Sequence, residues 1–191
     1  MIYNFENEIR DYFNKVQDVL SKLDTGIISE VANLLIKTLN NEGTIYIFGN
    51  GGSASTALHF QNDFNRTLAD YTPKKFKVNC LSDNISTLTA IANDFSYDEV
   101  FAKQLENQLS ENDIVIAISG SGNSLNVIRA VEYAKIKNVK IVSFTGFNGG
   151  KLRLLSDYDL NVGIDDMQIT EDVHLIFNHL LMTVIKKSFT N

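Results

Sequence analysis

Two short loops and a few titratable side chains are the parts of this 191-residue chain that could carry chemistry. Ser119-Gly-Ser-Gly-Asn-Ser124 follows an apolar run and opens a helical pattern. It offers three hydroxyls, several backbone donors and a helix start, but no lysine. A loop for a nucleoside triphosphate would require Gly-Lys-Ser/Thr. Neutral donors at a helix N-terminus suit one phosphate monoester, because the free N–H groups there stabilise an anion. A plain turn would not call for three serines so placed. Gly49-Asn50-Gly51-Gly52-Ser53 occupies the equivalent place after an earlier apolar run. Its glycines allow close backbone approach to a ligand, and a simple tight turn is the competing account. Gly49, Gly51 and Ala54 also fit a dinucleotide fingerprint, which needs an acidic residue about 20 positions on, closing the second strand. Asp70 has that offset but falls before Pro73, ahead of the next strand, so the fingerprint is set aside.

The chain has three histidines. His59 and Asp63 are four apart, so they share a helix face just beyond the first loop. Glu171 and His174 are three apart, and His179 lies further along the same helix. That helix also carries Val173, Ile176, Phe177, Leu180, Leu181, Val184 and Ile185. A helix apolar nearly all round is expected to be buried, and polar groups within it need partners. A lone histidine there is ordinarily a satisfied core residue. Carboxylates at both ends and two loops nearby make proton transfer the rival reading. His174 is expected to be structural or to lie in an interface.

These groups need a scaffold, and the pattern supplies one. Phe5, Ile9, Phe13, Val16, Leu20 and Leu23 have helical spacing. Asp24 and Thr25 can cap a second helix with the stripe Ile27, Val31, Leu34, Leu35 and Leu39, ended by Gly43. Apolar runs at 45–48 and 114–118, with shorter strands expected at 76–81, 140–144 and 158–162, alternate with helices. Continuous apolar runs between helices indicate a parallel sheet covered on both faces. The expected fold is α/β, a three-layer αβα sandwich with a parallel central sheet and an N-terminal helical hairpin. One domain spans 1–191, with helices in 1–42 and the α/β core in 43–191. The hairpin's apolar stripes have two possible destinations, another subunit or their own domain.

Composition narrows the function. The net charge of -6 argues against a nucleic-acid partner, which needs a basic footprint. Lys74, Lys75 and Lys77 read as a solvated strand edge. A single cysteine, Cys80, excludes an intrachain disulfide framework and suggests a reducing compartment. Glu6, Glu8 and Arg10 interrupt any leader-like run, and no apolar stretch is long enough for a membrane span. The expectation is a cytoplasmic protein with no membrane partner.

Four motifs follow in order: Phe48-Gly-Asn-Gly-Gly-Ser-Ala-Ser-Thr-Ala-Leu-His59, Thr89-Ala-Ile-Ala-Asn-Asp94, Ala117-Ile-Ser-Gly-Ser-Gly-Asn-Ser124 and Thr145-Gly-Phe-Asn-Gly-Gly-Lys151. Together they resemble the SIS (sugar isomerase) family in its phosphoheptose isomerase branch, over nearly the whole chain. The resemblance implies a phosphate held by Ser119, Gly120, Ser121 and Ser124. It implies sugar contacts from Asn50, Gly51, Gly52, Ser53, Asn93, Asp94 and Glu171. It also implies Asp63 and His179 as the acid–base pair, a zinc site at His59, Asp63, Glu171 and His179, and a homotetramer with shared sites. Two positions depart from the family pattern: Asp63 stands where glutamate is usual and Glu171 where glutamine is usual. Both changes keep oxygen ligands.

The implied reaction converts sedoheptulose 7-phosphate to D-glycero-D-manno-heptose 7-phosphate, or a closely related heptose, for surface polysaccharide. Such an interconversion passes through an enediol and needs a base at carbon and an acid at the carbonyl oxygen. The alternative is a non-catalytic SIS tetramer that binds a replication initiator or senses a sugar phosphate. Retention of His59, Asp63 and His179 favours chemistry, since a scaffold has no need of a base.

Overall fold

The computed structural model describes residues 3–190. Helices α1 (Glu6–Lys22) and α2 (Thr25–Asn40) form the N-terminal hairpin. The core then runs β1 (Ile45–Gly49), α3 (Gly51–Asn62), β2 (Val78–Cys80), α4 (Ile85–Asp94), α5 (Ala102–Leu105), β3 (Ile114–Ser119), α6 (Leu125–Ile136), β4 (Lys140–Thr145), α7 (Gly150–Leu155), β5 (Tyr158–Asn161) and α8 (Met167–Thr190). All five strands are parallel, in the order β2-β1-β3-β4-β5. Every residue of β1 and β3 is buried, which explains why they read as unbroken apolar runs rather than alternating ones.

Alternation inside those runs sorts side chains between two cores. Ile45, Ile47, Ile114, Ile116 and Ile118 face a layer with Leu35 of α2, Phe60 of α3 and Val173 and Phe177 of α8. Tyr46, Phe48, Val115 and Ala117 face the opposite layer, with Leu105 of α5, Val131 of α6 and Leu152 of α7. The sheet is therefore the middle of three layers.

Strand order positions the site. From β1 the chain crosses outward to β2, then returns to β3 on β1's other side. In open α/β sheets, the crevice beyond the strand ends at such a reversal is where ligands bind. Gly49 pairs with Ile118 at these ends, so the loops that follow β1 and β3 are neighbours.

β2 is an edge strand and shorter than the expected 76–81. Side chains of the α3 region cover its open side. The Asn65 amide receives the Val78 N–H and donates to the Val78 carbonyl, both at 2.8 Å, and Gln61 Oε1 receives the Cys80 N–H. Unpaired strand groups are thus satisfied by side chains instead of a further strand. Asp24 caps α2 as expected, accepting from the Gly26 and Ile27 N–H groups. The end of α2 differs: Glu42, not Gly43, has the left-handed backbone (φ 59°). Gly43 is needed for another reason, since a Cβ there would sit 1.9 Å from the Asn112 carbonyl oxygen.

Two apolar stripes turn outward. Of the α1 residues, only Val19 is buried, with Tyr12 and Val16 packed partly against the core. Phe5, Ile9 and Phe13 are more than half exposed. The last helix is not buried all round either: Leu180 and Val184 are exposed and line a groove of about 350 Å³ with Ile28, Ala32 and Ile36 of α2. No described helix is long and apolar enough to cross a membrane.

Candidate active site

The serine loop bends sharply between β3 and α6. Gly122 has φ 66° and its N–H bonds to the Ser119 carbonyl at 3.0 Å. A Cβ on Gly122 would fall 2.0 Å from the Gly149 carbonyl, so only glycine admits the loop after β4 this close. Ser124 stands at the N-cap of α6, yet its hydroxyl makes no capping bond. It lies 3.2 Å from the Ser119 hydroxyl instead. Ser121 Oγ accepts the Asn123 N–H at 3.2 Å, which leaves its own proton free to donate. Three hydroxyls thus gather at a helix start, where free backbone N–H groups favour an anion.

The first loop is built differently. Asn50 and Asn126 exchange reciprocal amide hydrogen bonds, both 2.9 Å, and Tyr97 donates to Asn50 Oδ1 at 2.8 Å. This ties the starts of α3 and α6 together. It also commits the Asn50 amide to protein, apart from one N–H. Glu171 of α8 stands against the first turn of α3: a Cβ on Gly52 would lie 2.5 Å from both its carboxylate oxygens. A carboxylate on a helix N-terminus is electrostatically favourable and disfavours a second anion in the same place. The two loops are thereby distinguished: a carboxylate already stands at the start of α3. Ser53 is buried beside Gly49, whereas Asn93 and Asp94 end α4, are exposed and bond to each other at 3.0 Å. Gly120 is closely covered by Met167.

The titratable cluster lies on the seam between α3 and α8. At Asp63 the helix widens into a single π turn, Asp63–Thr67, a device frequent at functional sites. His59 Nε2 is 3.4 Å from Asp63 Oδ2, His179 Nε2 is 3.8 Å from the same oxygen, and the two Nε2 atoms are 3.2 Å apart. These three residues form the group able to hold a metal ion among those described. Glu171 is outside it, held two turns earlier on α8 against Gly52. Asp63 is nearly buried while both imidazoles are about half exposed, so the cluster opens outward.

Two residues escaped notice in the sequence. Asn126 completes the loop lock described above. Asn178 is fully buried and donates Nδ2–H to Asp63 Oδ2 at 3.0 Å. The available signal was a polar residue at core spacing, between Phe177 and Leu181 on the buried face of α8. His174 lies in the core, as the structural reading holds, but is not satisfied: neither ring nitrogen has a well-formed hydrogen bond. Burial lowers its pKa to about 4, opposed weakly by the Thr145 carbonyl nearby.

Sheet order, serine loop and histidine–carboxylate cluster together define a parallel α/β fold with a candidate active site, and the chain belongs to the SIS domain family, whose profile matches residues 11–146. Its similarity within that family is to the phosphoheptose isomerases. One from Helicobacter pylori is 40% identical over 189 residues, spanning 97% of this chain and 98% of the relative. Another, from Thermodesulfovibrio yellowstonii, is 37% identical over 184 residues, spanning 95% and 91%. The solved phosphoheptose isomerase of Neisseria gonorrhoeae superposes with a TM-score of 0.87 at 28% identity, covering 96% of this chain and all of that one.

Proposed function

We propose that this aldose–ketose isomerase acts on sedoheptulose 7-phosphate and forms D-glycero-D-manno-heptose 7-phosphate, or its near relative, for surface polysaccharide. The observation that carries the reading is the triangle of His59, Asp63 and His179 donor atoms on the α3–α8 seam, in a chain whose serine loop keeps the Ser121 proton free to donate. From Gly51 to His59, α3 climbs about 12 Å at its ordinary rise, so the cluster stands well apart from the loop that opens this helix.

In the ketose, a base removes a proton from the carbon beside the carbonyl, and an acid protonates the carbonyl oxygen to give the enediol. Asp63 and His179 take these roles, and reversal at the neighbouring carbon gives the aldose. Asp63 presents Oδ2 to the histidines, which leaves Oδ1 for the substrate. His59 holds the pair in register from the preceding turn of α3.

The donor triangle also fits zinc. Ligand bonds of about 2.0–2.2 Å in tetrahedral array place donor atoms roughly 3.4 Å apart. The three separations of 3.2, 3.4 and 3.8 Å bracket that value. Two imidazoles and one carboxylate are a recognised catalytic set, with the fourth position left open. A bound ion would polarise the substrate oxygens. Glu171 would need to leave Gly52 to join as a fourth ligand. Because His179 Nε2 points into the triangle, it cannot at once ligate an ion and transfer a proton; Asp63 Oδ1 remains the base in either case.

We further infer a homotetramer in the cytoplasm, with the outward Phe5, Ile9 and Phe13 covered by other subunits. The deciding assay incubates purified protein with sedoheptulose 7-phosphate in deuterated water, with and without chelator, and follows aldose formation and deuterium uptake. Turnover lost on chelation and restored by zinc assigns the triangle to the ion. Turnover indifferent to chelation assigns His179 as the acid. No aldose and no exchange, with zinc supplied, would refute the catalytic reading in favour of a binding tetramer.

A further inference from the structure

Asn178 is a costly residue where it stands. It is wholly buried on α8, and its Oδ1 is sealed from solvent with no hydrogen-bond partner. A buried acceptor left unpaired is destabilising, whereas an apolar residue of the same shape is not. Its neighbours on that face, Phe177, Leu181 and Ile185, are the types that packing alone selects. The side chain makes one hydrogen bond, from Nδ2 to Asp63 Oδ2. The amide orientation follows from the carboxylate: reversed, it would set oxygen against oxygen.

We propose that Asn178 is the positioning residue for Asp63, fixing its carboxylate so that Oδ2 faces both imidazoles and Oδ1 faces the substrate. The proposal rests on the isomerase site described above. A carboxylate oxygen has two lone-pair directions. Asn178 takes one from the core side, and the other is left toward His59 and His179, 3.4 and 3.8 Å away. Asp63 needs such a tether because it projects from a π turn and accepts no other hydrogen bond from an amide or hydroxyl among the described residues. Groups that hydrogen-bond a ligating carboxylate from behind typically contribute about 10–100-fold to metal affinity or activity.

The test is Asn178→Leu in the full chain, since leucine keeps the branched skeleton and removes both polar atoms. Zinc affinity is read by competition with a chromophoric chelator, kcat and KM with sedoheptulose 7-phosphate, and folding by denaturant titration. The variant should remain folded, since relief of the unpaired Oδ1 is set against loss of the one bond to the buried Asp63 carboxylate, yet bind zinc about 10–100-fold more weakly. Its kcat should fall by a similar factor with KM held within about threefold, because the serine loop is untouched. In an Asp63→Ala background, Asn178→Leu should add no further loss of zinc affinity, since the two act as a unit. A folded variant within about twofold of the parent in both affinity and kcat overturns the proposal, as does a loss that persists undiminished in the Asp63→Ala background. Should the leucine variant not fold, Asn178→Ala, which also removes both polar atoms, carries the same expectations for zinc affinity and kcat. A parent that neither binds zinc nor turns over the heptulose phosphate overturns the site reading instead, and the tether falls with it.

Discussion

His174 should make this protein acid-sensitive in a defined window, and replacing it should remove that sensitivity. The ring is 1% exposed, packed beside Phe144 and Phe177, with both nitrogens unpartnered. Burial opposes its charged form and lowers the pKa from 6.5 to about 4. Above about pH 6.5 both folded and unfolded chains carry the neutral ring, and His174 contributes nothing to the pH dependence. Between 6.5 and about 4 the unfolded chain binds a proton that the folded chain refuses, so stability falls as pH falls. At about 1.4 kcal/mol per pH unit, the full window amounts to about 3 kcal/mol. Below it both states are protonated and the loss levels off.

His174→Leu has no such window. It also removes a buried donor and a buried acceptor, each costing about 1–3 kcal/mol when unpaired. The variant should therefore be more stable than the parent at pH 7, and its advantage should widen by about 2 kcal/mol on descending to pH 4.5. Denaturant titrations at several pH values measure it, at one fixed protein concentration because subunit association would shift the midpoints. Carboxylates common to both proteins cancel in the difference. Parallel stability curves for parent and variant from pH 7 to 4.5 would refute a buried neutral imidazole.

Ser121→Ala and Ser124→Ala should each weaken sugar-phosphate binding by about 1.5–3 kcal/mol with folding retained, as read by titration calorimetry; unchanged affinity in both would move the phosphate elsewhere. Asp63→Asn should lower turnover about 10²–10⁴-fold and suppress solvent deuterium exchange, while undiminished exchange would remove Asp63 as the base. Light scattering should give a tetramer at micromolar concentration, and Phe13→Glu should dissociate it. A monomeric parent that still turns over substrate would refute sharing of sites between subunits.

What the sequence discloses, and what it withholds, follows from the range of the interactions. The sheet is legible because β1 and β3 are wholly buried and so read as unbroken apolar runs. The loops are legible because each follows such a run, and glycine and serine there have few other uses. The pairing of His59 with Asp63 is legible because it is one helical turn long. The bonds that lock the site are of another kind. Asn50 meets Asn126 across 76 positions, and Asp63 meets Asn178 across 115. No local period marks them. The same limit hides direction: the α1 stripe has core spacing, but spacing cannot say that Phe5, Ile9 and Phe13 face outward.

Glu171 shows how long-range placement changes a chemical reading. By motif alone it ranks with His59, Asp63 and His179 as a ligand. In the fold it lies against the first turn of α3, where a carboxylate completes the electrostatics that a bound anion would otherwise supply. In the proposed function, one negative charge there would leave the serine loop as the unblocked helix start of the two and so favour a substrate with its phosphate at α6. The departures at Asp63 and Glu171 then belong to different ends of the site. On the proposed mechanism the first sets the reach of the base, and Asn178 hydrogen-bonds to it. The second directs the phosphate, so Glu171→Gln should relax that discrimination without disturbing the triangle of His59, Asp63 and His179.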